Sequence, residues 1–189
     1  MTEKTNTASL FKNILEAQKN AEGFPPVENW NPPLCENVSM KIARDGRWFF
    51  MNSPIGREKM VKLFSSVLRL DDDGFYYLVT PVEKIKIEVE DRPFVITTYN
   101  KEESEGKIIY FFKSNVGEII PLNSSHPIKV KISKKNQEPS PYILVRKNLE
   151  ALISRNVFYQ LVEEAELDED LEELFIFSSG SKYSLGKIN

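Results

Sequence analysis

In the stretch RDGRWFFMNSPIGREKMVKLF, residues 44–64, Arg57 follows Ser53-Pro54 by three residues, a spacing that suits an anion. Ser53 reads as a helix cap and Pro54 as the first helical position. A helix start presents free backbone N–H groups and a positive dipole end. A guanidinium in the first turn adds a formal charge, and the combination suits a phosphate or a carboxylate. Trp48 and Phe50 lie close by in sequence, and one of them could stack on a base or ring. The same arginine also has a purely structural use, as the ion-pair partner of Glu83 or Asp91.

No catalytic constellation accompanies these residues. His126 is the one histidine, which leaves out His-based zinc centres. Beside Pro127 it reads as structural. Cys35 is the one cysteine, so no internal disulfide can form. CxxC, HExxH, GxSxG, GxGxxG and the phosphate-loop GxxxxGK[ST] are all missing. Ser-x-x-Lys occurs at Ser9–Lys12 and Ser179–Lys182 without its companion motifs, so both read as chance. The DDDG cluster at 71–74 lacks the spaced ligands of a calcium loop and reads as a solvated turn. The sequence therefore assigns no catalytic residue and no metal ligand, and it requires no cofactor.

Net charge is −3 and the pI is near 5.4, which argues against nucleic acid as a main partner. The lysines at 129, 131, 134 and 135 alternate with Val130 and Ile132, as the outer face of a strand does. No apolar run approaches the roughly 18 residues of a membrane span. The amino-terminal MTEKTNTASLFK lacks the apolar core of a signal peptide, so the expected location is cytoplasmic.

The elements that must position Arg57 follow from periodicity. Residues 8–22 read as a helix with Leu10, Phe11, Ile14 and Leu15 on one stripe. Gly23 stops it, and GFPPVENWNPPL is a proline-rich passage pinned by Trp30. Val38, Met40 and Ile42 alternate inward, Asp45-Gly46 turns the chain, and Trp48 and Phe50 return. Residues 54–69 read as a helix with Met60, Val61, Phe64, Val67 and Leu68 buried. Strands are expected at FYYLVT and KIKIEVE, then at 94–99, 107–112, 118–121, 128–133 and from Tyr142. A second helix is expected at about 147–165, then an acidic turn ELDEDLEE, the strand LFIFSS and a short KYSLG strand. Arg57, Met60 and Phe64 match Arg146, Leu149 and Ile153 at a constant offset of 89, a pattern of duplication.

The motifs DGRWFFMNSPIGREKMVKLFSSVLR, YYLVTPVEKIKIEVEDRPF, SHPIKV, PYILVRKNLEALISRNVFYQLVE and FIFSSGSKYSLG, in that order, resemble the bacterial domain of unknown function family 1285. The resemblance spans roughly residues 28–187. It implies an α+β fold made by duplication, with two structurally similar repeats, each of antiparallel strands plus one amphipathic helix. The second repeat would be loosely pleckstrin-homology-like. The implied domains are an amino-terminal helix and arm at 1–24, a first repeat at 25–92 and a second at 93–189. It further implies a binding site between the repeats for a nucleotide-like ligand, in a signalling role and without enzymatic activity.

On this reading the protein is a non-enzymatic module for an anionic small molecule. Trp48, Ser53, Arg57, Thr80, Glu83, Arg146 and Ser178 are its expected contacts. The two arginines would hold the anion, Ser53 would start the donor helix, Trp48 would pack a ring and Ser178 would add a hydroxyl. The alternative is a protein-interaction module, docking a signalling partner through Phe111, Phe112 or the PYILV strand. An enzyme using Glu83 and His126 is the weakest reading, since nothing places the two together.

Overall fold

The computed structural model describes residues 7–19, 21–134 and 136–188. Asn20 of the first expected helix, Lys135 of the basic run, residues 1–6 of the expected arm and Asn189 lie outside them. The chain divides into two compact units, Met1–Asp91 and Arg92–Asn189.

The first unit begins with helix α1, Thr7–Lys19. Leu10, Ile14 and Ala17 are buried at a helical i, i+4, i+7 spacing, while Leu15 is exposed. Asn13 donates to Glu83 at 2.7 Å and Gln18 to Ser66 at 2.7 Å, which ties the helix down at both points. A 3-10 turn at Val27–Asn29 follows. The proline-rich passage is held from outside by Arg69, whose Nη1 donates to the carbonyls of Val27 and Trp30 at 2.6 and 2.8 Å. Its buried anchor is Val27, with Trp30 half-exposed.

Strands β1 (Met40–Ile42), β2 (Trp48–Phe50) and β3 (Ser53–Pro54) form a meander. Helix α2 follows at Glu58–Ser65, then β4 (Leu68–Leu70), β5 (Tyr76–Val79) and β6 (Lys84–Val89). The six strands make one sheet in the order β3-β2-β1-β6-β5-β4. β1 and β6 run parallel at its centre, and the other pairs are antiparallel. Trp48, Met40, Ile42 and Ile87 are buried on its inner face.

The helix expected from Pro54 onward begins four residues later, and Ser53 does not cap it. Ser53 pairs with Phe50, Pro54 pairs with Phe49, and the Ile55 amide donates to the Trp48 carbonyl at 2.8 Å. Two forces favour the strand. Met51 and Asn52 both take positive φ, at 46° and 65°, as a two-residue hairpin turn requires. A residue before proline is also pushed toward extended backbone. At the other end, the Ser65 and Ser66 hydroxyls bond the Lys62 and Leu63 carbonyls at 2.8 and 2.6 Å. There α2 stops, and Leu68, expected on a helix face, is buried in β4 instead.

The second unit repeats the sheet. Its strands are β7 (Phe94–Ser104), β8 (Lys107–Ser114), β9 (Ile119–Pro121), β10 (Ile128–Ile132), β11 (Pro139–Arg146) and β12 (Leu149–Ile153). Their order is β10-β11-β12-β7-β8-β9, with β12 and β7 parallel at the centre. Counted in chain order within each unit, the two sheets share the same plan. Helix α3 covers Arg155–Glu164, and β13 (Glu166–Asp168), β14 (Glu173–Ser178) and β15 (Ser181–Lys187) form a separate three-stranded sheet.

The duplication is thus present, but the offset of 89 does not carry it. Arg57, Met60 and Phe64 belong to α2 and its cap, whereas Arg146 ends β11 and Leu149 and Ile153 lie in β12. The expected helix at 147–165 is a strand up to Ile153, because Leu149, Ala151 and Ile153 alternate inward. The matching positions are the central parallel pairs. Met40 opposite Ile87 answers Phe94 opposite Ala151.

Candidate functional site

Five of the expected contacts, Trp48, Ser53, Arg57, Thr80 and Glu83, lie in the first unit, and Arg146 and Ser178 lie in the second. Trp48 is 1% exposed and packs against Phe64, with ring centroids 6.4 Å apart. Its indole N–H has no partner among the described residues. Thr80 is fully buried, and its hydroxyl accepts the Glu83 amide at 3.1 Å, which shapes the TPVEK turn. Glu83 accepts from Asn13. Ser53 is exposed on β3.

Arg57 occupies the cap position of α2 and is exposed. Its guanidinium has no hydrogen bond or ion pair among the described residues. The structural pairing with Glu83 or Asp91 is not formed; Asp91 instead takes Arg44 at 3.1 Å. Arg146 is the opposite case. Its side chain is 14% exposed, pairs with Glu118 and lies 5.0 Å over the Phe94 ring. Ser178 is fully buried, donating to the Leu122 carbonyl at 2.7 Å and accepting the Tyr110 amide at 3.1 Å. His126 meets the Leu144 carbonyl at 3.0 Å. Phe112, Tyr142, Ile143 and Val145 are all buried, so those residues of the expected interaction face are closed to a partner.

The outer face of β1 and β2 carries residues that the sequence reading passed over. Strand alternation that turns Trp48 and Met40 inward turns Phe49 and its partner Lys41 outward. With the β1–β2 loop they line an open groove of about 520 Å³, together with Arg44, Asp45, Arg47 and Glu90. The Arg47 guanidinium lies 5.8 Å from the Phe49 ring centre. Its Nε donates to Asp45 at 2.7 Å, and its Nη groups have no partner among the described residues. Lys41 pairs with Glu90 at 2.7 Å and Glu88 at 3.4 Å.

These bonds set the protonation states. The Arg47 amide, then its side chain, hold Asp45 below the usual carboxylate range. Lys41, followed by the Arg44 amide, does the same for Glu90, and Glu90 and Glu88 raise Lys41 in return. The groove thus presents fixed charges near neutral pH. Its carboxylates are poorly suited to exchange protons there.

The DDDG turn is more than a solvated loop. Asp71 accepts from Arg69 at 2.5 Å and Lys84 at 3.1 Å, and Asp73 accepts the Tyr77 hydroxyl at 2.7 Å. No group of three or more His, Cys, Asp or Glu among the described residues could hold a metal ion. No helix among them is long and apolar enough to cross a membrane.

Two α+β units built on one sheet plan, with a charged groove on the first, define the class of protein. Residues 25–92 match the family described as "Domain of unknown function (DUF1285), N-terminal domain", and residues 93–185 match "Protein of unknown function (DUF1285), C-terminal domain". The chain belongs to the DUF1285 family. It resembles the crystal structure of a DUF1285 family protein from Silicibacter pomeroyi DSS-3, with 36% identity, 98% of this chain and 97% of that chain covered, and a TM-score of 0.84. A DUF1285 family protein from Shewanella baltica OS155 is 26% identical over 69% of this chain and 94% of that chain, with a TM-score of 0.54. No curated protein matches the chain.

Proposed function

We propose that the protein is a non-catalytic binding module for an anionic small molecule bearing a flat ring, with a nucleotide-like compound as the expected class. The observation that carries this reading is the Arg47–Phe49 pair in the groove of the first unit. A ring could lie along Phe49, and the Nη groups of Arg47 could take an anionic group bidentately. Arg57, exposed and without a protein partner among the described residues, is a second cation in the same unit able to meet an anion. A regulatory role follows from binding without chemistry, since a ligand can act by stabilising the state that binds it.

The test is a thermal-shift screen of the whole chain against nucleotides, cyclic dinucleotides, dinucleotide cofactors and simple anions. A true ligand at 100 times its dissociation constant adds about 2.7 kcal/mol of stability. The expected outcome is a dose-dependent shift for a ring-bearing anion that Arg47→Ala and Phe49→Ala both remove. Loss in Arg57→Ala alone would move the site to the start of α2. A flat screen, or a shift indifferent to all three substitutions, would overturn the reading.

A further inference from the structure

The small sheet of the second unit has the opposite character to the groove. Between residues 156 and 181 the chain has eight carboxylates and no lysine or arginine. Glu163, Glu166, Glu169, Asp170 and Glu172 are exposed. None of these five makes a hydrogen bond or ion pair through its carboxylate among the described residues. Aliphatic side chains stand bare among them. Leu167 on β13 is 50% exposed, Leu171 in the following turn 55%, and Ile188 47%. The Ile188 amide donates to the Glu172 carbonyl at 2.8 Å, so Ile188 lies beside that turn. β13 is also an edge strand of its sheet.

Native sheets usually protect such edges with lysine, proline or a covering element. Here the edge strand is three residues long and Lys182 pairs with its Asp168, but the exposed carboxylates left free around it are all of one sign, which repels acidic strands and attracts basic ones. We infer that the β13 edge and its turn dock a basic segment of another protein. That segment would add as an extended strand, with aliphatic residues alternating with Lys or Arg. Main-chain bonds to the free edge supply part of the affinity. Leu167 and Leu171 receive the aliphatic side chains, and the five free carboxylates select the sign and speed the encounter.

The test uses the full chain and a labelled ten-residue peptide alternating lysine with valine, read by fluorescence anisotropy. A control peptide of the same composition carries its lysines and valines in two blocks. The expected result is at least tenfold tighter binding of the alternating peptide. That binding should be lost in Glu169→Lys/Asp170→Lys/Glu172→Lys and weakened at least tenfold in Leu167→Lys. The charge variant alters exposed positions only, and circular dichroism checks its fold. Equal binding of the two peptides would mean charge alone, and binding unchanged in the charge variant would remove the site; either overturns the inference. Sedimentation showing a wild-type dimer that Leu167→Lys dissolves would also overturn it, by making a second copy the occupant.

Discussion

The two sheets have one strand order, and what differs is how each unit uses its loops and its arginines. In the first unit α2 connects the two meanders, whereas in the second α3 comes after the last strand of the sheet. The first hairpin, β1–β2, has three-residue strands and a loop at 43–47, where Asp45 and Arg47 help form a groove. Its counterpart, β7–β8, has strands of 11 and 8 residues closed by the turn Glu105-Gly106. Arg57 is exposed, while Arg146 is closed over Phe94 by Glu118. One sheet plan therefore supports a charged surface in one unit and a sealed ion pair in the other, and the choice is made in connections rather than in the central strands.

The largest test of that contrast is a pair of substitutions. Arg146→Ala leaves Glu118 without its partner in a mostly buried site, where breaking a pair costs about 3–5 kcal/mol. Arg57→Ala removes an exposed cation and is expected to change stability by no more than about 0.5 kcal/mol. Denaturant unfolding of both variants measures the difference. Similar losses would mean that the two arginines are equivalent after all, as the offset of 89 implied.

A smaller effect separates two tyrosines by cause. Tyr77 in the first unit is pushed up to about 12, chiefly by its hydrogen bond to Asp73. Tyr99 in the second is also pushed up to about 12, but burial leads and Glu164 comes second. Each raised pKa favours the neutral phenol in the fold. The stability it brings is complete below the unfolded pKa of about 10 and is lost as pH rises from there through about 12. Alkaline titration followed by phenolate absorbance should show Asp73→Asn moving Tyr77 back toward 10. Glu164→Gln should move Tyr99 only part of the way. A full return of Tyr99 would make the hydrogen bond its main cause and erase the contrast.

Much of the fold was legible because strand alternation is a local signal. KIKIEVE up to Val89, FVITTY, KIIYFF and IKVKI all lie in strands, and α+β composition in two parts followed from their order. The errors fall where two local signals compete. Leu149, Leu152, Ile153, Val157 and Leu161 fit a helical stripe, yet Leu149, Ala151 and Ile153 also alternate, and pairing with β7 and β11 decides for a strand. Ser53-Pro54 fits a cap, yet the turn before it commits the pair to β2. The groove was only half legible. Placing Trp48 and Phe50 inward already placed Phe49 outward, but partnership between Arg47 and Asp45 depends on the loop's shape. The expected polar contacts Thr80 and Ser178 proved buried, because a hydroxyl reads the same in sequence whether it meets a ligand or a backbone amide.

The finest comparison concerns the two tight turns. Met51-Asn52 has φ of 46° and 65°, and Glu105-Gly106 has 53° and 73°. Each thus puts an unsuited residue first in a turn that prefers Asn, with left-handed backbone costing roughly 1–2 kcal/mol for ordinary side chains. Met51→Asn and Glu105→Asn should each relieve about 0.5–1 kcal/mol by denaturant unfolding. Met51 has one compensation that Glu105 does not show, since its Sδ accepts the Ser39 amide at 3.4 Å. A thioether is a weak acceptor, so strain relief is expected to win. If Met51→Asn instead destabilises while Glu105→Asn stabilises, the sulfur contact outweighs the strain, and Met51 is there to hold the lip of the groove beside Asn52. If both stabilise and only Met51→Asn changes the thermal shift given by a groove ligand, the strained turn of the first unit serves binding, and that of the second serves only to reverse the chain.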